Sequence, residues 1–515
     1  MSFSRFLALA MACAVLLSGC QAPASSSSSS SASAPVATPT PTASVQQLDT
    51  LRVGYTPSSG FNPYLSSSML VWQNGGLLFE KLVEITPEMQ LEYRLAEAIV
   101  PSGNLVVIQP RQGQSFADGT PITAQDIAAS FWAAKSSQRY AARFQNLQNI
   151  EVNKEGQLVL TLSQPDSLFA YLCDIPVLKA ADTASTQPTA SGRYTYGTED
   201  QLVVNPYAPF PQQGPQTIQL VEVSGYDEMV SGLSMGLVDM YAVSETAPTS
   251  SSVSSRATQY KTNNLVFLGV NGTGGEETSP LLRTETGRVL LSQMLDRRAL
   301  VEESFYGRAY PATGLINDHY ACAKDVHKIL AEREIQPTDV AATLSQMGYV
   351  MDKETGYYLD AEQNRVTLRL LVYSGNTYMR YAASMIREQL ADFGLYVQLE
   401  EESDFAVYHE KIAASNFHLY IGEVKLYNNM DMTPFFGGGD TSWGIATSQP
   451  LLDAYAQFRA DASTAAALEQ VFAQQMPFVP LLWRTGTVLH NRSLSGLSCS
   501  LSNVFYQLDG LQQSQ

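Results

Sequence analysis

The stretch from Val366 to Leu399 constrains the fold of this 515-residue chain more than any other. Val366 to Tyr373 reads as a buried strand, and Thr377 to Phe393 sets Ala382, Met385, Ile386, Leu390 and Phe393 on one helical face. Gly394 supplies the helix stop, and Leu395 to Leu399 is the next strand. Two strands joined through a helix run parallel with a right-handed crossover, so the chain is α/β. Other elements fit that class. Leu51 to Tyr55 alternates like a strand and breaks at Thr56 to Gly60, a Gly/Pro loop of the kind that leads into a cleft. Leu105 to Gln109 is a further strand, and Phe116 to Pro121 is a turn. Thr123 and Asp126 form a capping box for a helix that buries Ile127, Ala128, Phe131 and Trp132. After Thr286 to Leu295, Asp296 caps a helix that runs to Gly307. Met476 to Trp483, apolar and flanked by prolines, reads as a segment crossing back between two lobes.

The chain opens with an address. Met1 to Arg5 carries a positive charge, and Phe6 to Leu17 is an apolar run too short to span a bilayer. It ends in Leu17-Ser18-Gly19-Cys20, which resembles the bacterial lipobox; residues 1–19 are expected to be removed and Cys20 to take a lipid. Gln21 to Gln47 is a serine run followed by Pro, Thr and Ala without charge, which cannot bury enough surface to order itself. A coil of that length spans about 30 Å. Residues 20–48 are therefore read as a lipidated tether holding the protein at the outer face of a cell membrane.

Composition removes several classes of function. A net charge of −18 argues against a nucleic-acid partner, because such affinity depends on Lys and Arg displacing counterions. Cys173, Cys322 and Cys499 are far apart, none is in a CxxC pair, and the five histidines are scattered, so no metal and no cofactor is expected. Gly232-Leu233-Ser234-Met235-Gly236 fits the GxSxG pattern, but its context is reversed: Tyr226 to Met235 reads as a helix, Gly236 as its stop and Leu237 to Ala242 as a strand. A lipid-anchored hydrolase using Ser234 is the alternative this leaves. Gly272 to Glu277 has Glu where a dinucleotide fingerprint needs its last glycine. Glu400, Glu401 and Glu402 read as a solvated face. The lack of a catalytic set favours binding over chemistry.

Four blocks in order carry a resemblance. Leu78 to Val83 with Leu95-Ala96-Glu97, then Phe116 to Asp126 (FADGTPITAQD), then Gly236 to Asp239, and then Gly287-Arg288 through Asp296-Arg297 to Gly307–Gly314 resemble the family 5 extracellular solute-binding proteins of ABC transporters. The resemblance implies a two-lobed periplasmic-binding-protein-like fold of type II, in its large peptide-binding class with an extra subdomain in the first lobe. It places lobe I at residues 49–261, lobe II at 262–476 and a return to lobe I at 477–515. It implies a monomer that is not an enzyme, that closes on a peptide or peptide-like solute and that hands it to a permease and ATPase. A sensory receptor on the same fold is equally compatible with the sequence.

The resemblance also points to the specificity loop. In peptide-binding relatives this region carries a tryptophan and an aspartate that holds the peptide's amino terminus. Here it is Phe417 to Trp443, where Asp431 matches the second aspartate of the pattern, Asn428 stands at the ammonium-binding position and Met432 replaces proline. Glu423 is expected to lean into the cleft and supply the missing carboxylate. Tyr427, Phe435 and Trp443 complete the candidate ligand-binding set, each equally able to pack the lobe.

Overall fold

A computed structural model describes residues 45–198, 200–211, 213–243, 255–274, 278–324, 326, 335–439 and 441–514. The leader, Cys20 and nearly all of the tether lie outside them. So do the last three residues of the Gly272 to Glu277 stretch. Among the described residues no helix is long and apolar enough to cross a membrane.

The β-α-β unit forms as its pattern requires. Strand Thr367–Tyr373 pairs in parallel with strand Tyr396–Glu402, from Thr367 opposite Tyr396 to Tyr373 opposite Glu402. Helix Thr377–Ala391 joins them, capped by Asn376, whose side chain accepts from the Tyr378 and Met379 N–H groups. It buries Met379, Ala382, Ala383, Ile386 and Leu390. Gly394, at φ 80°, turns the chain out of the helix in a left-handed conformation that costs a side-chain-bearing residue about 1 kcal/mol or more.

This unit is one end of an 11-stranded mixed sheet. From that end the sheet runs through Leu419–Lys425, Ser255–Val270, Phe478–Asn491, Met240–Ala242 and Thr50–Tyr55, then Thr217–Glu222, Gln201–Val204 and Tyr194–Tyr196. A separate four-stranded antiparallel sheet, Ala96–Ser102, Leu105–Pro110, Leu158–Leu162 and Leu147–Val152, packs with helix Ala124–Ser136. That helix starts on the Thr123/Asp126 capping box. The second Asp126 oxygen accepts from Ala180 N–H at 2.8 Å, so one carboxylate both caps the helix and ties down the segment beyond the sheet.

Apolar side chains collect in two large cores. One surrounds Leu51, Val53, Phe131, Phe144 and Val488. The other surrounds Phe267, Leu370, Ile386, Phe435 and Phe478. Two long strands pass from one to the other. The first, Ser255–Val270, pairs antiparallel with the second, Phe478–Asn491, over both ends, from Ser255 opposite Asn491 to Gly269 opposite Phe478. The ladder breaks between Lys261 opposite Thr485 and Leu265 opposite Trp483. In that break Thr262, Asn263 and Asn264 face only Arg484, a bulge that bends the first strand between the cores.

All three bulge residues are buried, so their polar groups need partners. Thr262 Oγ1 donates to the Arg484 carbonyl at 2.6 Å. Asn263 Nδ2 donates to Tyr320 Oη at 2.6 Å, and Asn263 Oδ1 accepts from Asn317 Nδ2 at 3.1 Å. The two residues before Asn317 are held by Glu469, on helix Ala465–Gln475, whose two oxygens accept the Leu315 N–H at 2.9 Å and the Ile316 N–H at 2.7 Å.

Glu469 is 2% exposed, and burial pushes its carboxyl up to about 7 against an ordinary 4.5. The folded chain thus holds this proton more tightly than the unfolded chain. Its stabilising contribution is full below about 4.5 and is lost as pH rises through about 7. Denaturant unfolding should show the stability of the native chain relative to Glu469→Gln falling by about 3 kcal/mol between pH 4.5 and pH 8. A difference that does not change with pH would show that burial does not raise the Glu469 carboxyl above its ordinary value.

Candidate functional site

A cavity of about 470 Å³ opens where the two crossing strands pass between the cores. One wall is built from the first core's side: Met69 and Trp72 on helix Met69–Leu78, Arg139, Tyr140 and Arg143 in the segment after helix Ala124–Ser136, and Asp174. The facing wall is Lys425 to Asn428, the end of strand Leu419–Lys425 and the residues after it. Ala242, Val243 and Tyr260 close the floor. The volume suits a small solute, and the lining mixes aromatic with charged groups in the manner of a ligand pocket.

Its polar groups form a chain across the cavity. Arg143 pairs with Asp174 Oδ1 and also donates to the Leu172 carbonyl at 3.1 Å. Asn428 Nδ2 donates to Asp174 Oδ2 at 3.2 Å, and Asn428 Oδ1 accepts from Asn263 Nδ2 at 3.3 Å. Asn428 therefore links the first wall to the bulge between the crossing strands. Burial pushes the Tyr427 hydroxyl above its ordinary value. The Arg139 guanidinium lies over the Trp72 ring, 5.0 Å from its centroid. No carboxylate pairs with Arg139 among the described residues.

A second set of contacts joins the two sides away from the cavity. Asp166, 2% exposed, accepts from Asn429 Nδ2 at 2.6 Å and pairs with Arg459 at 3.0 Å. Ser167 N–H donates to the Arg459 carbonyl at 2.8 Å, and Ser167 Oγ to the Phe458 carbonyl at 3.0 Å. Tyr171 packs on Tyr320 with ring centroids 4.7 Å apart. Desolvation pushes the Asp166 carboxyl up despite Arg459 and Asn429. This closure rests on a buried ion pair, an arrangement that loses strongly when one partner is removed.

Of the six residues singled out in the specificity loop, Tyr427 and Asn428 line the cavity. Glu423 does not: its carboxylate pairs with Arg484 at 3.0 Å and accepts from Asn264 Nδ2 at 3.3 Å. Asp431 caps its own loop, accepting from Thr433 N–H at 2.9 Å and Tyr455 Oη at 2.7 Å. Burial pushes the Asp431 carboxyl up, but Arg459 and those hydrogen bonds outweigh it and hold it below the usual range. Phe435 is fully buried, stacked on Phe478 at 4.1 Å between centroids. Trp443 packs against the same core.

Trp72, Arg139, Arg143 and Asp174 were not among those six, because their wall is assembled from segments far from the loop in sequence. One signal was present: two arginines within five residues, Arg139 and Arg143, in a chain with 31 Lys and Arg against 49 Asp and Glu.

The GxSxG serine has an ordinary role. Ser234 ends helix Tyr226–Ser234 and donates to the Val230 carbonyl at 3.0 Å. Gly236 follows at φ 72°, and strand Met240–Ala242 comes after it, so the order is helix to strand where a nucleophile elbow runs strand to helix. Cys173, Cys322 and Cys499 are free thiols. No cluster of His, Cys, Asp or Glu among the described residues could hold a metal ion.

The sequence profile of the bacterial extracellular solute-binding proteins, family 5, matches residues 90–443. No curated protein matches the chain. Among solved structures, a nickel ABC transporter protein from Bacillus halodurans superposes with a TM-score of 0.72 at 14% identity, covering 91% of this chain and 100% of its own. MppA, a periplasmic murein tripeptide binding protein in its unliganded open form, gives 0.71 at 16% identity, over 92% of this chain and 98% of its own. The oligopeptide-binding protein AppA from Bacillus subtilis, in complex with a nonapeptide, gives 0.53 at 15% identity, over 92% and 100%. These likenesses agree on a two-lobed α/β fold with solute-binding rather than enzymatic relatives. With a profile match over well over half its length, the chain belongs to the family 5 bacterial extracellular solute-binding proteins of ABC importers.

Proposed function

We propose that this chain is the substrate-binding lipoprotein of an ABC importer, held at the cell membrane by lipid on Cys20, and that it captures a peptide or peptide-like solute in the cavity beside the crossing strands. The observation that carries this reading is the cavity's construction. One wall comes from the segments around Trp72, Arg139 and Asp174 and the other from Lys425 to Asn428, so a solute bound there touches both sides at once. Such a solute stabilises the closed arrangement by its differential affinity for it. On this reading lobe I is residues 49–261, lobe II is 262–476, and 477–515 returns to lobe I. The bulge at Thr262 to Asn264 opposite Arg484 is then the hinge, because the wider of the two breaks in the backbone ladder falls there, the other lying between Val266 and Phe267.

The tether and lipid give the receptor a place to work. Lipid on Cys20 keeps the folded part near a permease. The receptor acts as a monomer, closing on solute and presenting the closed form to permease and ATPase partners without a cofactor.

Peptide mixtures should raise the melting temperature of the purified protein by several degrees through mass action, since a solute at about 100 times its Kd adds about 2.7 kcal/mol. A shift from another solute class with none from peptides would overturn the choice of substrate. Cys20→Ser should move the protein from the membrane fraction to the soluble fraction with solute affinity unchanged. Retention in the membrane fraction would show that another element anchors it.

A further inference from the structure

The charge arrangement in the cavity narrows the class of solute. Four ionisable side chains with a fixed charge at neutral pH line it among the described residues: Arg139, Arg143, Lys425 and Asp174. Three are cationic, in a protein whose net charge is −18. Against that background a basic cavity between low-dielectric walls concentrates anions.

The single carboxylate among the described lining residues offers nothing to a solute's ammonium. Asp174 Oδ1 is paired with Arg143, and its Oδ2 accepts the Asn428 amide at 3.2 Å. An ammonium seated there would have to displace Asn428 and lie beside the Arg143 guanidinium. Asn428 itself carries no charge, and its carbonyl oxygen is engaged by Asn263 at 3.3 Å. The two other carboxylates of the loop point elsewhere: Glu423 is committed to Arg484, and Asp431 to Thr433 and Tyr455. Arg139 differs from all of these. It lies over Trp72, pairs with no carboxylate among the described residues, and lines the cavity. Its guanidinium sits 5.0 Å from the indole centroid and has the Tyr140 hydroxyl as a neighbour, which leaves further N–H groups for a carboxylate.

We propose that the solute is anchored by its own carboxylate at Arg139 and carries no free ammonium: an acidic, N-blocked peptide-like molecule. This rests on the importer reading above and specifies the substrate of the same cavity.

The test uses the purified mature protein and a mixed-sequence peptide library in three forms: with both termini free, N-acetylated, and N-acetylated with a C-terminal amide. Retained sequences are identified by mass spectrometry and titrated calorimetrically. Acetylation should tighten binding by about threefold or more, because it removes an ammonium that the cavity does not pair, whereas amidation should weaken it by about tenfold or more, the range of one lost charge-assisted hydrogen bond. Arg139→Gln should bind the acid and amide forms equally while melting at the native temperature, and Arg139→Lys should restore part of the preference. Binding that acetylation leaves unchanged or weakens would overturn the exclusion of an ammonium, and indifference to amidation, or an undiminished acid preference in a folded Arg139→Gln, would overturn the carboxylate anchor, each leaving a peptide receptor intact. Retention of no peptide in any form would overturn the anchor and the peptide reading together.

Discussion

The structure depends on the pairing of Ser255–Val270 with Phe478–Asn491. These two strands are the centre of the 11-stranded sheet and belong to both cores at once. Their ladder is interrupted twice, most widely where Thr262 to Asn264 stand against Arg484 and again between Val266 and Phe267. Backbone hydrogen bonds resist bending wherever they are continuous, so bending concentrates where they are missing. The bulge is nevertheless not loose. Asn263, Asn317, Tyr320 and, one step further, Glu469 give it a buried hydrogen-bond network. A network of that kind selects particular arrangements over a continuum of them, because a half-satisfied buried polar group is costly.

The same network reaches the cavity. Asn428 touches Asn263 on one side and Asp174 on the other, so a residue that lines the cavity also contacts the bulge and the opposite wall. On the proposed reading, contact with solute at Lys425 to Asn428 is felt at the crossing strands through that one side chain. The Asp166–Arg459 pair sets a second, independent contact between the two sides. The first is neutral amide chemistry at the solute; the second is a buried charge pair away from it.

Much of the fold was legible in the sequence because it is written in local periodicity. The apolar spacing over Val366 to Leu399 specified a parallel pair and its helix, and Thr123 with Asp126 specified a helix start. Gly236 specified a helix stop, and so explained away a serine that imitates a nucleophile. The site was less legible for a physical reason. Of the six loop residues, Tyr427 and Asn428 reach the cavity, whereas the packing of Phe435 on Phe478 and the pairing of Glu423 with Arg484 are decided by a strand about forty to sixty residues away in sequence. Arg139 and Asp174 come from separate segments of the other wall. No local pattern marks which side of a cleft such residues will meet.

Whether the cavity beside the crossing strands holds a peptide-like solute with a free carboxylate is tested most directly by the protein's natural cargo. The measurement is mass spectrometry of whatever is released when the protein, purified from its native cell under mild conditions, is denatured. Acidic peptide-like molecules lacking a free amino terminus are expected. Release of peptides with free amino termini, of a metal complex, or of a cationic solute would contradict it.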